Sequence, residues 1–413
     1  MADSADVGRS RATEALLLLA VAVTGMGQTL VFAILPSLGR AANMAEIQVG
    51  LIITCSALVF AVASPVWGRL SEYVGRRPVL VLGLTGYGLG TLGFALVFQA
   101  GINGVLQGAA LVLALVLARS LQAMVMAASP PAASAYIADV TSIAQRTRGM
   151  GRIGAAHNLG TVVGPAMGGA LAVVSLVLPL YVVVVVSLAM ALFVAWRLPE
   201  SPYIRQRPAP ERPFSVATAL RASFASYRDP RLTGILLLGV GMFMTFAVVQ
   251  QTLGFMYQDR FSLSPAGAAG GVGMAMMAAA LSSLLAQAVV VQWLGWAPQT
   301  LLRLALPLMG AGFLVLALAP VPAVAALGIA VTGLGLGLGM PGISSAASVR
   351  VGNDEQGLVA GMMSACPALG FIIGPVLGTG LYQWLPQAPY WLVCVLVVPL
   401  IVAAWRVPGH PQD

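Results

Sequence analysis

Residues 160–169 read GTVVGPAMGG, and residues 370–380 read GFIIGPVLGTG. At an offset of 210 residues Gly160, Gly164, Pro165 and Gly168 fall on Gly370, Gly374, Pro375 and Gly378, while Gly169 closes the first copy. The same offset carries Pro131 to Pro341 and Ser134 to Ser344. Small-residue helix packing alone enriches membrane helices in glycine. Four glycine and proline matches in one register point instead to a duplicated bundle, and parallel repeats about an axis along the membrane normal are a transporter architecture with the site between the halves.

Both copies sit inside long apolar runs. Crossing a bilayer takes about 20 apolar residues, and the chain offers twelve such spans: 15–38, 47–67, 78–99, 106–137, 150–173, 177–196, 232–257, 266–292, 299–319, 322–348, 356–383 and 388–405. The expected fold is therefore an all-α polytopic membrane protein of twelve transmembrane helices in two pseudo-symmetric six-helix bundles. Continuous Gly- and Ala-rich runs do not alternate as barrel strands do. The first run reads as an uncleaved helix, being too long for a signal h-region.

Composition agrees. Of 413 residues 59% are hydrophobic and 8% charged, against about 45–50% and about 25% in soluble domains. Mean hydropathy is +0.92. All 21 basic residues are Arg, so no lysine chemistry exists. The net charge of +8 reflects cytoplasmic arginine bias rather than nucleic-acid binding. Cys55, Cys366 and Cys394 lie in apolar runs and suit neither disulfides nor zinc. The sequence carries no Walker motif, metal cluster or catalytic triad, so no enzyme activity, cofactor or metal is expected.

Arginines collect in the even-numbered connections: Arg69, Arg76 and Arg77, then Arg146, Arg148 and Arg152, then Arg197 to Arg231. The odd-numbered ones hold Arg40 and Arg260. Positive charge stays inside, which predicts a bacterial inner-membrane protein with both termini cytoplasmic. The Pro- and Arg-rich stretch 197–231 divides the chain into an N-terminal bundle (1–196), a cytoplasmic linker and a C-terminal bundle (232–413). Within the linker, 214–227 reads either as a short surface amphipathic helix or as solvated chain.

Three motifs resemble the major facilitator superfamily. GRLSEYVGRRPVLVLG, residues 68–83, matches that family's loop signature at Gly68, Leu70, Glu72, Gly75, Arg76 and Arg77, with Glu72 for the usual Asp and Tyr73 for the following basic residue. LARSLQ, with Arg119 and Gln122, resembles its intramembrane-arginine motif, Ala123 replacing a glycine. Gly160 to Gly169 is similar to the fifth-helix motif of antiporters and points to the twelve-helix drug:proton antiporter branch. The resemblance implies that Glu72 faces span 11, that Arg76 pairs with Asp139 at the end of span 4, and that these form a cytoplasmic gate. A plain topology anchor is the alternative.

Arg119 stands about 30 Å from Asp139 along an ideal helix, in the outer half of its span. A charge in hydrocarbon costs at least about 2.5–3.5 kcal/mol, so it either snorkels outward or faces a cavity to bind substrate or tune a pKa. At the same repeat offset the residue is Ile329, so folding needs no arginine there. His157 is, among the intramembrane side chains, the one most able to titrate near neutral pH and is the candidate proton carrier or substrate donor; a neutral ring satisfied by Asn158 or a carbonyl is the alternative. Gln28, Gln122, Gln250 and Gln251 offer neutral hydrogen bonds to a ligand or bridges between helices. Gly164–Pro165 and Gly374–Pro375 interrupt their helices and suit rocking interfaces.

None of the 13 acidic residues falls near a midplane. A cavity with Arg and His but no acid repels cations. The expected activity is proton-gradient-driven efflux of a small amphipathic anionic or neutral molecule, by a monomer in the bilayer, through alternating access. An importer of an organic anion or siderophore-like metallophore, a non-transporting sensor and a lipid flippase are the competing readings.

Overall fold

The computed structural model describes residues 2–141, 143–206, 214–217, 229–294, 296–351 and 356–406. Every regular element among them is helical. The order is α1 (Ala2–Ala41), α2 (Glu46–Val74), α3 (Arg76–Ile102), α4 (Gly108–Met126), α5 (Ser129–Val140), α6 (Ile143–Ala172), α7 (Leu178–Arg197) and the short α8 (Pro202–Gln206). Then follow α9 (Pro230–Asp259), α10 (Pro265–Leu285) with a π-helical continuation (Ala286–Trp293), α11 (Pro298–Leu318), α12 (Pro322–Ser348), α13 (Gln356–Trp384) and α14 (Ala388–Trp405). Among the described residues ten spans are long and apolar enough to cross a membrane. α6 and α13 occupy the fifth and eleventh expected spans. Most of the proposed surface helix at 214–227, with Arg207, Arg212, Arg221 and Arg228, lies outside the described residues.

Helices satisfy their own backbone, which lipid requires, and local chemistry sets their ends. Asp229 caps α9 by accepting from the Arg231 amide at 2.9 Å, and Ser264 Oγ caps α10 by accepting from the Gly267 amide at 3.1 Å. Proline opens α7, α9, α10, α11, α12 and α14, where the missing N–H has no partner to lose. The expected fourth span is two helices, because Pro130 and Pro131 begin α5 immediately after α4 ends.

The chain forms two compact units. One comprises Met1–Val31, Val59–Gly164 and Val177–Ser223; the other comprises Phe32–Leu58, Pro165–Leu176 and Phe224–Asp413. The first has a core of Leu17 and Ala20 from α1, Leu80 and Leu84 from α3, Ala132, Tyr136 and Ile137 from α5 and Val194 from α7. In the second, Leu301 and Ala305 of α11 pack on Leu338 of α12 and Ala286.

The repeat read from sequence reappears as one helix contact made twice. In the first unit a Cβ at Gly160 would strike the Ala22 carbonyl of α1, and one at Gly164 the Met26 carbonyl. In the second unit, a Cβ at Gly370 would lie 2.7 Å from the Met244 nitrogen of α9, and one at Gly374 2.8 Å from the Met244 carbonyl. Glycine is required where backbones approach so closely. The second unit holds a further pair of such contacts. Gly169 of α6 meets Ala269 and Gly270 of α10, while Pro375 and Thr379 of α13 meet Gly50 of α2.

Candidate functional site

Leu113, Leu117 and Leu121 stand exposed at four-residue spacing on α4, the stripe that faces lipid in a spanning helix. Leu115, Arg119 and Gln122 are buried on the other side. Arg119 is only 4% exposed, so it does not snorkel. Its Nη1 donates to Gln122 Oε1 at 2.6 Å, and Gln122 Nε2 donates to Thr91 Oγ1 of α3 at 2.5 Å. The guanidinium also lies over the Phe94 ring, 5.6 Å from its centroid. Gly90 makes room for this crossing: a Cβ there would stand 2.6 Å from that of Gln122. Tyr87, one turn earlier on α3, is fully buried and its hydroxyl lies against Gly27 of α1.

This cluster is unfinished. Among the described residues Arg119 Nε and the Tyr87 hydroxyl are buried without a hydrogen-bond partner. Among the described residues no carboxylate lies within ion-pair reach of Arg119. A buried charge is ordinarily paired. Ile329, the repeat-related residue of α12, is fully buried and apolar, so the matching position in the other repeat packs without a charge. Tyr87 and Thr91 were not among the residues singled out from sequence, since an aromatic or hydroxyl residue in an apolar run resembles ordinary packing.

The other expected residues fall into separate places. Gln28 of α1 points at Met126 of α4, with Nε2 4.0 Å from the sulfur. His157 is half-buried on α6, its ring beside Gly25 of α1. Among the described residues its nitrogens make no hydrogen bond; the Asn158 carbonyl accepts from Thr161 instead. In the second unit Gln250 and Gln251 of α9 are buried, and among the described residues Gln250 Oε1 and both amide atoms of Gln251 have no hydrogen-bond partner.

The loop signature builds a tight polar lattice in the first unit. Arg76, 6% exposed, donates from Nε to Asp139 Oδ2 of α5 at 3.1 Å and from Nη1 to Ser71 Oγ at 2.6 Å. Ser201 Oγ donates to the same Asp139 oxygen at 2.8 Å. Gly75 adopts φ +111°, a left-handed value that favours glycine. The Glu200 carboxylate sits over the start of α3, accepting from the Arg76 amide at 3.0 Å and the Arg77 amide at 3.3 Å. An anion at a helix N-terminus is electrostatically favoured. Arg77 donates to the Ala195 carbonyl. A Cβ at Gly68 would touch Pro131 at 3.4 Å. Glu72 is half-buried on the last turn of α2.

The two arginines that broke the loop bias are both engaged. Arg40 forks onto Asp259 and also reaches Glu46 Oε1 at 2.9 Å. Arg260 donates to the Ala317 carbonyl at 2.8 Å. Tyr382 of α13 donates to Asp259 at 2.8 Å.

A bundle of membrane-length helices, duplicated by a glycine–proline motif and holding a buried guanidinium with no acidic partner among the described residues, defines a polytopic membrane transporter. The chain belongs to the Major Facilitator Superfamily, whose family model matches residues 17–366 and 300–413. It is a secondary transporter, not an enzyme, and resembles the drug:proton antiporter branch. Tetracycline resistance protein, class C, of Escherichia coli is 27% identical over 396 residues, 91% of this chain and 93% of that one. Multidrug resistance protein 1 of Bacillus subtilis is 25% identical over 404 residues, 96% and 97% of the two chains. Among solved structures, nucleoside transporter NupG superposes with a TM-score of 0.75 at 12% identity, covering 96% of this chain and 99% of that one. The human organic anion transporter MFSD10 superposes at 0.66 with 21% identity, covering 95% and 99%. These structures share the fold.

Proposed function

We propose that this chain exports a small amphipathic molecule, anionic or neutral, across the bacterial inner membrane in exchange for protons, as a monomer with both termini in the cytoplasm. The observation that carries the reading is the Arg119 cluster: a buried guanidinium with one unpartnered nitrogen, an unpartnered tyrosine hydroxyl nearby and no carboxylate within reach among the described residues. A ligand carboxylate, sulfonate or polarised carbonyl supplies the missing acceptor. A cation would meet uncompensated positive charge. Gln122 holds the guanidinium and Thr91 holds Gln122, so the cluster is preorganised. Gln28, Gln250 and Gln251 add neutral donors and acceptors. The proton gradient is the energy source, and His157, with no bonded partner among the described residues, is the coupling candidate.

Export is supported by the relatives named for tetracycline and multidrug resistance and by the fifth-helix glycines. In alternating access the Glu72–Arg76–Arg77–Asp139 loop biases one state of the cycle.

The deciding experiment is transport in liposomes under an imposed pH gradient, with anionic, neutral and cationic substrates compared side by side. Proton-driven efflux of the anionic or neutral compounds, abolished by Arg119→Ala, is the expected result. Selective transport of a dication, or flux indifferent to the gradient, overturns the proposal.

A further inference from the structure

Where α9 begins and α14 ends, a cleft of about 730 Å³ opens in the second unit. Its polar end carries Arg231, Arg350 and Arg406. Arg231 is held by Asp229, with Nη2 and Oδ2 2.7 Å apart. Among the described residues Arg350 and Arg406 form no ion pair. Partial burial pulls the Arg350 guanidinium below its ordinary pKa, a desolvation that an incoming anion would offset. Among the described residues the cleft thus presents two positive charges with no carboxylate paired to them.

Its other wall is apolar and runs into the span, with Leu238 from α9 and Val398 and Val402 from α14. Val398 is 55% and Val402 45% exposed, so the slot is open along the flank that α14 turns to lipid. A conduit for substrate would need walls shielded from hydrocarbon. Trp405, also exposed, adjoins Arg406 and stacks under Arg303 at 5.2 Å; tryptophan at a span end marks the headgroup level.

We propose that this cleft is a binding site for an anionic phospholipid, its phosphate held by Arg350 and Arg406 and one acyl chain lying along Leu238, Val398 and Val402. Basic pockets between spanning helices hold acidic headgroups in this way. Arg231 positions the rim rather than the phosphate, because Asp229 already occupies its fork.

The test is native mass spectrometry and thermal melting of the detergent-purified, delipidated full chain. The probes are phosphatidylglycerol, phosphatidylcholine with the same chains, glycerol 3-phosphate and inorganic phosphate. Phosphatidylglycerol should bind at least about tenfold more tightly than phosphatidylcholine, whose choline cation cancels the headgroup charge that the two arginines attract. The Arg350→Gln/Arg406→Gln double variant should lose that preference, and Arg350→Lys/Arg406→Lys should keep most of it. Equal binding of the two lipids by the unaltered chain overturns the proposal without recourse to any variant. So does unchanged preference in the double glutamine variant. Displacement of the lipid by inorganic phosphate or glycerol 3-phosphate at equal concentration would make the cleft a simple anion site and overturn the lipid assignment.

Discussion

Arg40 grips both carboxylate oxygens of Asp259, at 2.5 and 2.6 Å, although 219 residues separate them in sequence. The pair is part of a knot. Glu46 takes the same Arg40 nitrogen that reaches Asp259 Oδ2, Tyr382 donates to that oxygen, and the guanidinium lies over the Phe255 ring at 5.1 Å. The knot joins the end of α1 and the start of α2 to the ends of α9 and α13. Side-chain exposures of 24% for Arg40 and 40% for Asp259 leave it within reach of solvent, where an ion pair is worth about 1 kcal/mol or less. Such a contact is weak enough to be remade in every cycle.

Asp259→Asn and Arg40→Gln should therefore each lower transport strongly while changing thermal stability by no more than about 1 kcal/mol. The charge-swapped pair Arg40→Asp/Asp259→Arg should recover only part of the activity, because the carboxylate placed at 40 would stand against Glu46. Flux in liposomes beside melting temperature in detergent checks this. A large stability loss with no specific loss of flux would assign the pair to folding alone.

Arg119→Met should separate function from folding. Replacing a buried charge with an apolar side chain of similar length removes a large desolvation penalty, and Ile329 shows that the repeat-related site tolerates an apolar residue. The expected variant melts at or above the parent temperature and moves no anionic substrate. Arg119→Lys keeps charge but loses the fork and should fall between. A destabilised Arg119→Met would mean that the guanidinium serves the bundle.

How much of this was legible in the sequence follows from the range of each signal. Repeats and apolar runs are carried by many residues, so the helices and the twin contacts of Gly160–Gly164 and Gly370–Gly374 could be read in advance. Arg119 stood out because a charge in an apolar run is expensive. Its surroundings did not, because Tyr87, Thr91 and Phe94 are apolar or weakly polar residues whose meaning comes from the α3–α4 crossing. Glu200 and Ser201 were missed for another reason. They lie in a proline-rich polar stretch that reads as solvated chain, and only folding brings Glu200 to the start of α3, 124 residues away. Arg40 and Arg260 were noticed as exceptions to the charge bias, but their partners sit at helix ends where sequence gives no pairing rule.

The glycine contacts predict a graded response. Gly164→Ala would drive a methyl into the Met26 carbonyl and Thr29 Oγ1 of α1, an overpacking that costs about 1–3 kcal/mol. Gly374→Ala, against Ala247 and Met244 of α9, should cost a similar amount. Gly93→Ala is the control: nothing lies within 4 Å of a Cβ there, so the helix should gain about 0.5–1 kcal/mol from lost backbone entropy. Thermal melts of the three variants test whether the motif glycines act by close approach or by composition.

Glu200 offers the sharpest local test, because its carboxylate serves three amides at once: Arg76, Arg77 and, at 2.8 Å, Ser201. Glu200→Ala leaves the first two amides of α3 without their acceptor and should destabilise the chain by about 1–2 kcal/mol, the usual cost of a lost N-cap. Glu200→Gln keeps an acceptor but gives up the charge that complements the helix N-terminus, worth about 0.3–1 kcal/mol, and should restore most of the loss. Hydrogen exchange reads the mechanism directly. The Arg76 and Arg77 amides should exchange much faster in the alanine variant, while amides in the middle of α3 change little. The Arg76–Asp139 ion pair holds the same turn from the other side. Adding Asp139→Asn to Glu200→Ala should therefore cost more than the two single changes summed, as expected when two contacts share one loop.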